Sequence, residues 1–334
     1  MASSLLSSIS ENPPASNRGV TSPLYVSIDW LRVSFPWPDG ASLDASSIYA
    51  DNSAIFASRL LDALRLSETG LSVASASGGR SYGYSHAFAL SPSGMMRFSP
   101  AYQSQKISIE FTGRDLDGLL SASILPVNLL EKFLLLGARV RRLDVAVDLL
   151  DSGADVLDIY KCWQAGEVVT QARRCWVIAP VDTAGNFTGK TVYIGSRTSE
   201  KFLRVYDKSL ERSDVSGASQ EVKDWIRAEL ETKDDYSQLL AWSLIRVENW
   251  RSQVQATLLS FVDMSWLQWK YITGGITANR LVVGRKQTDR FRWLMEQVLP
   301  AFKSELEEQE LAGDWSLYDA FNDALMMMLN RSKR

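Results

Sequence analysis

Three segments of this chain alternate charged and apolar residues with a period of two: RRLDVAVDLL (141–150), FLRVYDK (202–208) and WIRAELE (225–231). That period places successive side chains on opposite faces of a β-strand. In the first segment Arg142, Asp144, Ala146 and Asp148 share one face, and Leu143, Val145, Val147 and Leu149 share the other. In the second, Phe202, Arg204, Tyr206 and Lys208 oppose Leu203, Val205 and Asp207. In the third, Arg227, Glu229 and Glu231 oppose Ile226, Ala228 and Leu230. Each strand therefore carries an apolar face that needs a cover and a polar face that does not. The expected fold is α+β, an antiparallel sheet core with helices on one face. A solvated sheet face of alternating charge is the plain alternative. It gives no reason for acids at the centres of two strands.

The rest of the chain fits the same class. LYVSIDWLRVSF (24–35) reads as a strand, residues 54–66 as a helix, and residues 80–100 as a hairpin turning at Ser-Pro-Ser-Gly. KISIEFT (106–112) is a strand, and 125–137 a helix with Pro near its start and Gly at its end. The order then repeats: strand 140–150, helix near 153–165, strand near 172–179, hairpin 188–208, strand 224–232 and a helix from about 236. SIDWLRVSF matches RLDVAVDLL in position and SIEFTGRDL matches RAELETKDD, which pairs Asp29 with Asp144 and Glu110 with Glu229. We read two halves, 23–138 and 139–250, related by a pseudo-twofold; the alternative is that any α+β chain shows such runs. Residues 1–22, rich in Ser, Asn and Pro, read as a disordered arm without the features of a signal peptide. Residues 251–334 read as a mainly helical region for DNA binding or interaction.

Composition narrows the chemistry. The 334 residues hold one histidine, His86, and two cysteines, Cys162 and Cys175, without metal-ligand spacing. Multi-histidine zinc sites are excluded, so any metal site must be built of carboxylates, which favours Mg²⁺ or Mn²⁺. The cysteine usage fits a reducing cytoplasm. No run approaches the roughly 18 apolar residues of a membrane span. The net charge of -3 argues against general coating of nucleic acid. A local exception is 270–292, where Lys270, Arg280, Arg285, Lys286, Arg290 and Arg292 face one acid, Asp289.

Tyr206 lies between Arg204 and Lys208, with acid-bearing strands on either side in sequence. A tyrosine near cations and carboxylates is the equipment for attack on a phosphodiester: the phenol is the nucleophile, carboxylates hold a divalent metal, and cations offset phosphate charge. The candidates are Tyr206, Lys208 and Arg204 for catalysis, and Asp144, Glu229, Asp148 and Glu231 for metal. Arg197 on the hairpin turn, with Arg285, Lys286, Arg290 and Arg292, is a candidate for DNA contact. Each has a bland reading: a sheet-face tyrosine, a salt bridge from Asp144 to Arg142 or Arg204, one from Glu229 to Arg227, a solvated helix face. Tyr193 is the second candidate nucleophile. His86 reads as a hairpin surface residue, and the 11 tryptophans mostly as core, with one or two free to stack on unpaired bases.

The motifs IDWLRVSF, IEFTGRDL, RRLDVAVDLL, TVYIGSR, RVYDKSLE and RAELE occur in this order over about residues 24–250. Together they resemble the replication initiation factor family (Rep_trans), rolling-circle initiators of Gram-positive plasmids and filamentous phages. The resemblance implies a site-specific, metal-dependent DNA-nicking and strand-transferring enzyme with a tyrosine nucleophile, here Tyr206. It implies a 5′-phosphotyrosine intermediate and later rejoining of the strand. The expected partners are double-stranded origin DNA and its nicked single strand, a host helicase and DNA polymerase, and a second copy in a homodimer. The expected setting is the cytoplasm of a bacterial host. A conjugative relaxase of the same chemistry, or a non-catalytic origin- or operator-binding protein, are the alternatives. The family pattern often has Asn where this chain has Asp207.

Overall fold

The structure, a computed structural model, describes residues 24–36, 53–77, 84–99, 106–211 and 224–275. The expected N-terminal arm and the basic positions Arg280, Arg285, Lys286, Arg290 and Arg292 lie outside the described residues.

One ten-stranded sheet carries the fold, in the order β2-β3-β4-β5-β1-β6-β11-β10-β9-β8. Its centre is a long antiparallel pair, β1 (Leu24–Phe35) and β6 (Arg139–Leu150). Outside β1 come β5 (Lys106–Thr112), β4 (Met95–Ser99), β3 (His86–Ser91) and β2 (Ser72–Ala76). Outside β6 come β11 (Trp225–Lys233), β10 (Lys201–Asp207), β9 (Thr191–Gly195) and β8 (Cys175–Ile178). All these pairings are antiparallel. Read outward from the centre, each side has the same chain order. The two halves share this one sheet. A short pair, β7 (Val168–Thr170) with β12 (Val262–Met264), stands apart from it.

The alternation of the sequence sets which face is covered. Leu143, Val145, Val147, Leu203, Val205, Ala228 and Leu230 are buried in one core. The helices α1 (Ser53–Ala63), α2 (Gly113–Ser121) and α3 (Pro126–Leu135) pack buried Leu60, Leu119 and Phe133 into it. So do α4 (Leu157–Gln164), α5 (Asp234–Ile245), α6 (Trp250–Phe261) and α7 (Leu267–Ile272), through Ile159, Leu244, Leu258 and Trp269. Fully burying a Leu, Val or Phe side chain contributes about 1.5–3 kcal/mol, so the apolar face is what holds helices to sheet. α6, β12 and α7 lie beyond residue 250 yet pack into this core. The expected region 251–334 therefore begins, as far as the described residues reach, as part of this core.

Local signals explain the element ends. Thr112 and Asp115 form a capping box that starts α2, Thr112 N–H donating to the Asp115 carboxylate at 2.8 Å. Pro126 opens α3 at its first turn, where a missing N–H costs nothing. Gly94 turns β3 into β4 with φ +114°, where a Cβ would strike the Phe111 ring. No single helix is long and apolar enough to cross a membrane among the described residues.

Candidate active site

On the polar face the strand register lines side chains up in rows. One row runs Ile178, Thr191, Tyr206, Arg227, Asp148, Tyr25. The next runs Trp176, Tyr193, Arg204, Glu229, Ala146, Ser27. A third runs Gly195, Phe202, Glu231, Asp144, Trp30, Thr112. β6, β10 and β11, far apart in the chain, thus deliver Tyr206, Arg204, Arg227, Asp144, Asp148, Glu229 and Glu231 to adjoining positions.

Tyr206 lies at the end of β10, 9% exposed. Its hydroxyl lies 3.4 Å from the Glu229 carboxylate, to which it donates, and 3.4 Å from the Lys208 ammonium, from which it accepts. Arg204 sits 5.9 Å from the ring centroid and bonds the same Glu229 through one Nη, while its Nε, buried, has no partner among the described residues. Burial raises the Tyr206 phenol above its usual value, and the Glu229 charge raises it further, against the pull of Arg227. The resting phenol is therefore held protonated. Glu229, 1% exposed, is raised by burial and by the charge of Asp29, with Arg204 opposing. A carboxylate whose affinity for a proton is raised, and which touches the nucleophile's hydroxyl, suits a proton acceptor.

Each expected metal-binding carboxylate is engaged by a cation. Asp144, fully buried, takes a two-pronged bond from Arg142, Nε to Oδ1 at 3.0 Å and Nη2 to Oδ2 at 2.6 Å. Glu231 pairs with Arg142 at 3.2 Å and with Lys233 at 2.6 Å. Asp148 accepts two bonds from Arg227 at 2.7 Å and one from the Trp225 indole at 2.8 Å. Glu229 pairs with Arg204 rather than with the anticipated Arg227. Burial pushes the Asp144 carboxyl up to about 7; Arg142 opposes this and the charges of Glu229 and Glu231 add to it. The donors are of the type that Mg²⁺ and Mn²⁺ take, and their mutual repulsion would be eased by a cation. Their arrangement does not fit a preassembled site: among the described residues no three acids, histidines or cysteines come together to hold a metal ion.

Other residues named from sequence fall into place differently. Asp29 sits where β1 and β6 slip register, and reaches the Arg227 guanidinium across the sheet. The bulge adds one residue to β1, so beyond Asp29 the alternation shifts by one and Trp30 joins Tyr25 and Ser27 on the polar face. Glu110 holds Arg97 at 2.5 Å and the Trp30 indole at 3.2 Å, an echo in the first half of the Arg204–Glu229 pair. Trp30 also carries the Arg142 guanidinium 4.2 Å from its ring centroid. His86 stacks on Phe98 at 5.0 Å and is half-buried rather than a surface residue. Tyr193 packs against both Trp176 and Phe202, at 5.4 and 5.6 Å, and makes no bond to a carboxylate or lysine among the described residues. Arg197 is exposed on the β9–β10 turn. Sequence reasoning missed Trp225, Trp30 and Trp176; only the row register reveals them.

Comparison with known proteins gives the family. The chain matches the family described as replication initiation factor (Rep_trans) over residues 138–314. It is 27% identical over 207 residues to the "Putative DNA relaxase NicK" of Bacillus subtilis strain 168, an alignment covering 56% of this chain and 58% of that protein. The chain thus spans a little over half the length of that relative. Its fold is similar to that of a solved rolling circle replication initiator protein from Geobacillus stearothermophilus, with a TM-score of 0.56 at 20% identity. That superposition covers 72% of this chain and 87% of the other. The family match spans more than half of the sequence and begins at the strand that brings Asp144 to the polar face, continuing through those that bring Tyr206 and Glu229: the chain belongs to the replication initiation factor family.

Proposed function

We propose that the protein is a rolling-circle replication initiator that nicks one strand of origin DNA with Tyr206. The observation that carries the reading is the contact of the Tyr206 hydroxyl with both Glu229 and Lys208 on a sheet face lined with ion pairs. Glu229 takes the phenol proton as the oxygen attacks phosphorus. The Tyr206 Oη–P bond forms and the P–O3′ bond breaks, leaving a 5′-phosphotyrosine and a strand ending in a 3′ hydroxyl, with the proton on that hydroxyl supplied from solvent. Arg204, through its unused Nε, and Lys208 stabilise the added negative charge on the five-coordinate phosphate. The 3′ hydroxyl then serves a host polymerase, and the reverse reaction reseals the strand without ATP.

The resemblance implies Mg²⁺ or Mn²⁺. The carboxylates Asp144, Glu229, Asp148 and Glu231 do not form a ready site, so no step is assigned to a metal. Nicking assays with Mg²⁺, Mn²⁺ or chelator decide its place. The similarity to a protein named a putative DNA relaxase supports a second reading, the same chemistry at a transfer origin. Incubation with supercoiled DNA carrying the segment that flanks its own coding sequence tests both. An open-circular product is expected; binding with no nick at any metal concentration favours a non-catalytic DNA-binding protein. The same experiment with duplex and melted origin DNA, helicase and polymerase added singly, and sizing of the protein for a homodimer, tests the partners.

A further inference from the structure

We infer that Trp176 and Tyr193 form a stacking platform for unpaired bases of the DNA strand lying next to the Tyr206 site. The inference rests on the reading of this face as a DNA-nicking site. Trp176 on β8 and Tyr193 on β9 are directly opposite in register and stacked, 5.4 Å between ring centroids and 20° between planes. Phe202 on β10, 1% exposed, backs them at 5.7 and 5.6 Å. Phe202 lies on the polar face of the sheet and is not part of the helical core.

A buried aromatic floor with two half-buried rings above it is uncommon on a face that otherwise collects ion pairs. A nucleotide base needs an aromatic surface of this kind, because every base offers a π-face whatever its sequence. Position supports the assignment. Tyr193 is opposite Arg204, the residue beside Tyr206, so the platform continues the Glu229 row outward by one and two strands. Adjacent strands are about 4.8 Å apart, so the rings lie within one or two nucleotides of a phosphate seated at Tyr206.

Charge matches this occupant. Exposed Arg197 rests over both Tyr193 and Phe202, at 5.9 and 5.7 Å from their centroids. Exposed Arg173 and Arg174 lead into β8, with the Arg174 carbonyl accepting from Gly195 N–H at the start of the same turn. Among the described residues no carboxylate pairs with any of these three arginines. Aromatic rings interleaved with unpaired cations describe a surface for single-stranded nucleic acid, whose backbone the arginines track while bases stack. The platform would hold the strand flat and in register for attack, and would favour melted over duplex DNA because paired bases cannot leave their own stack.

The test uses the full chain carrying Tyr206→Phe, so that binding is read without cleavage, and a single-stranded oligonucleotide spanning the nick site mapped with the wild-type protein. Trp176→Ala should weaken binding by about 10-fold or more, while Trp176→Phe retains most of it. An abasic residue one or two nucleotides from the scissile phosphate should cost the unaltered platform a similar factor and cost the Trp176→Ala protein little more. Duplex affinity should change by less than about 2-fold. Thermal unfolding checks that Trp176→Ala is folded; if it is not, the abasic series on the intact platform decides alone. Equal binding of abasic and normal oligonucleotides at every position overturns the platform while leaving nicking untouched. Absence of both nicking and single-strand binding overturns the platform together with the reading on which it rests.

Discussion

Removing Arg204 tests the electrostatic core of the site. The Glu229 side chain is 1% exposed and Arg204 is 31% exposed, and the two are joined directly. Breaking a buried pair by deleting one partner costs about 3–5 kcal/mol, because the remaining charge is stranded. Arg204 keeps some solvent, so about 3 kcal/mol is expected for Arg204→Met. The sign of the pH dependence follows from Glu229, whose folded affinity for a proton is already raised by burial. Without Arg204 it rises further. The stability that comes from the protonated form is present in acid and is lost as pH rises through the folded value. The variant should therefore lose more stability at pH 8 than at pH 6. Adding Glu229→Gln should restore most of the loss, because the stranded charge is gone. Urea unfolding of the four proteins of the cycle at both pH values provides the measurement. A loss below about 1 kcal/mol, or single losses that simply add in the double variant, would refute the claim that Arg204 and Glu229 are coupled.

Three further outcomes are expected. Asp144 has its carboxyl raised from 3.8 to about 7, so its contribution to stability is full below pH 4 and is lost as pH passes 7; at about 1.36 kcal/mol per unit this is a few kcal/mol at most, and Asp144→Asn should remove that part of the pH 5 to pH 8 decline in unfolding free energy. Glu229→Gln should slow single-turnover cleavage about 10²- to 10⁴-fold, with the residual rate rising with pH as hydroxide replaces the lost base; a pH-independent rate equal to wild type would remove Glu229 from proton transfer. Replacing Arg285, Lys286, Arg290 and Arg292 with Ala should weaken duplex-origin binding and flatten its dependence on salt, leaving cleavage of a short single-stranded oligonucleotide intact; an unchanged salt slope would move duplex contact to the turn around Arg197.

Much of the fold was legible because period-two patterning is strong where one sheet face is buried. β1, β5, β6, β10 and β11 appear where the alternation places them, and both faces of β6, β10 and β11 have the expected occupants. The short strands β2, β7 and β12 and the helix α2 carry too few periods to stand out. The candidate site was legible in kind but not in pairing. Arg142 meets Asp144 within one strand, two residues apart, whereas Arg227 meets Asp29 across 198 positions. The second pairing depends on the order of strands in the sheet, which leaves no trace in local sequence. For the same reason the aromatic stack of Trp176, Tyr193 and Phe202 could not be seen: each residue is unremarkable on its own strand, and only register brings them together.

The central claim is that Tyr206 forms a covalent bond to DNA. The most direct measurement is mass spectrometry of proteolytic fragments after incubation with supercoiled DNA that the protein nicks. The account predicts a nucleotide attached to the peptide that contains Tyr206, through its 5′ phosphate, and no adduct for Tyr206→Phe, whose DNA binding stays within a few-fold of wild type. An undiminished adduct in Tyr206→Phe, or a nucleotide found on the Tyr193 peptide, would contradict it.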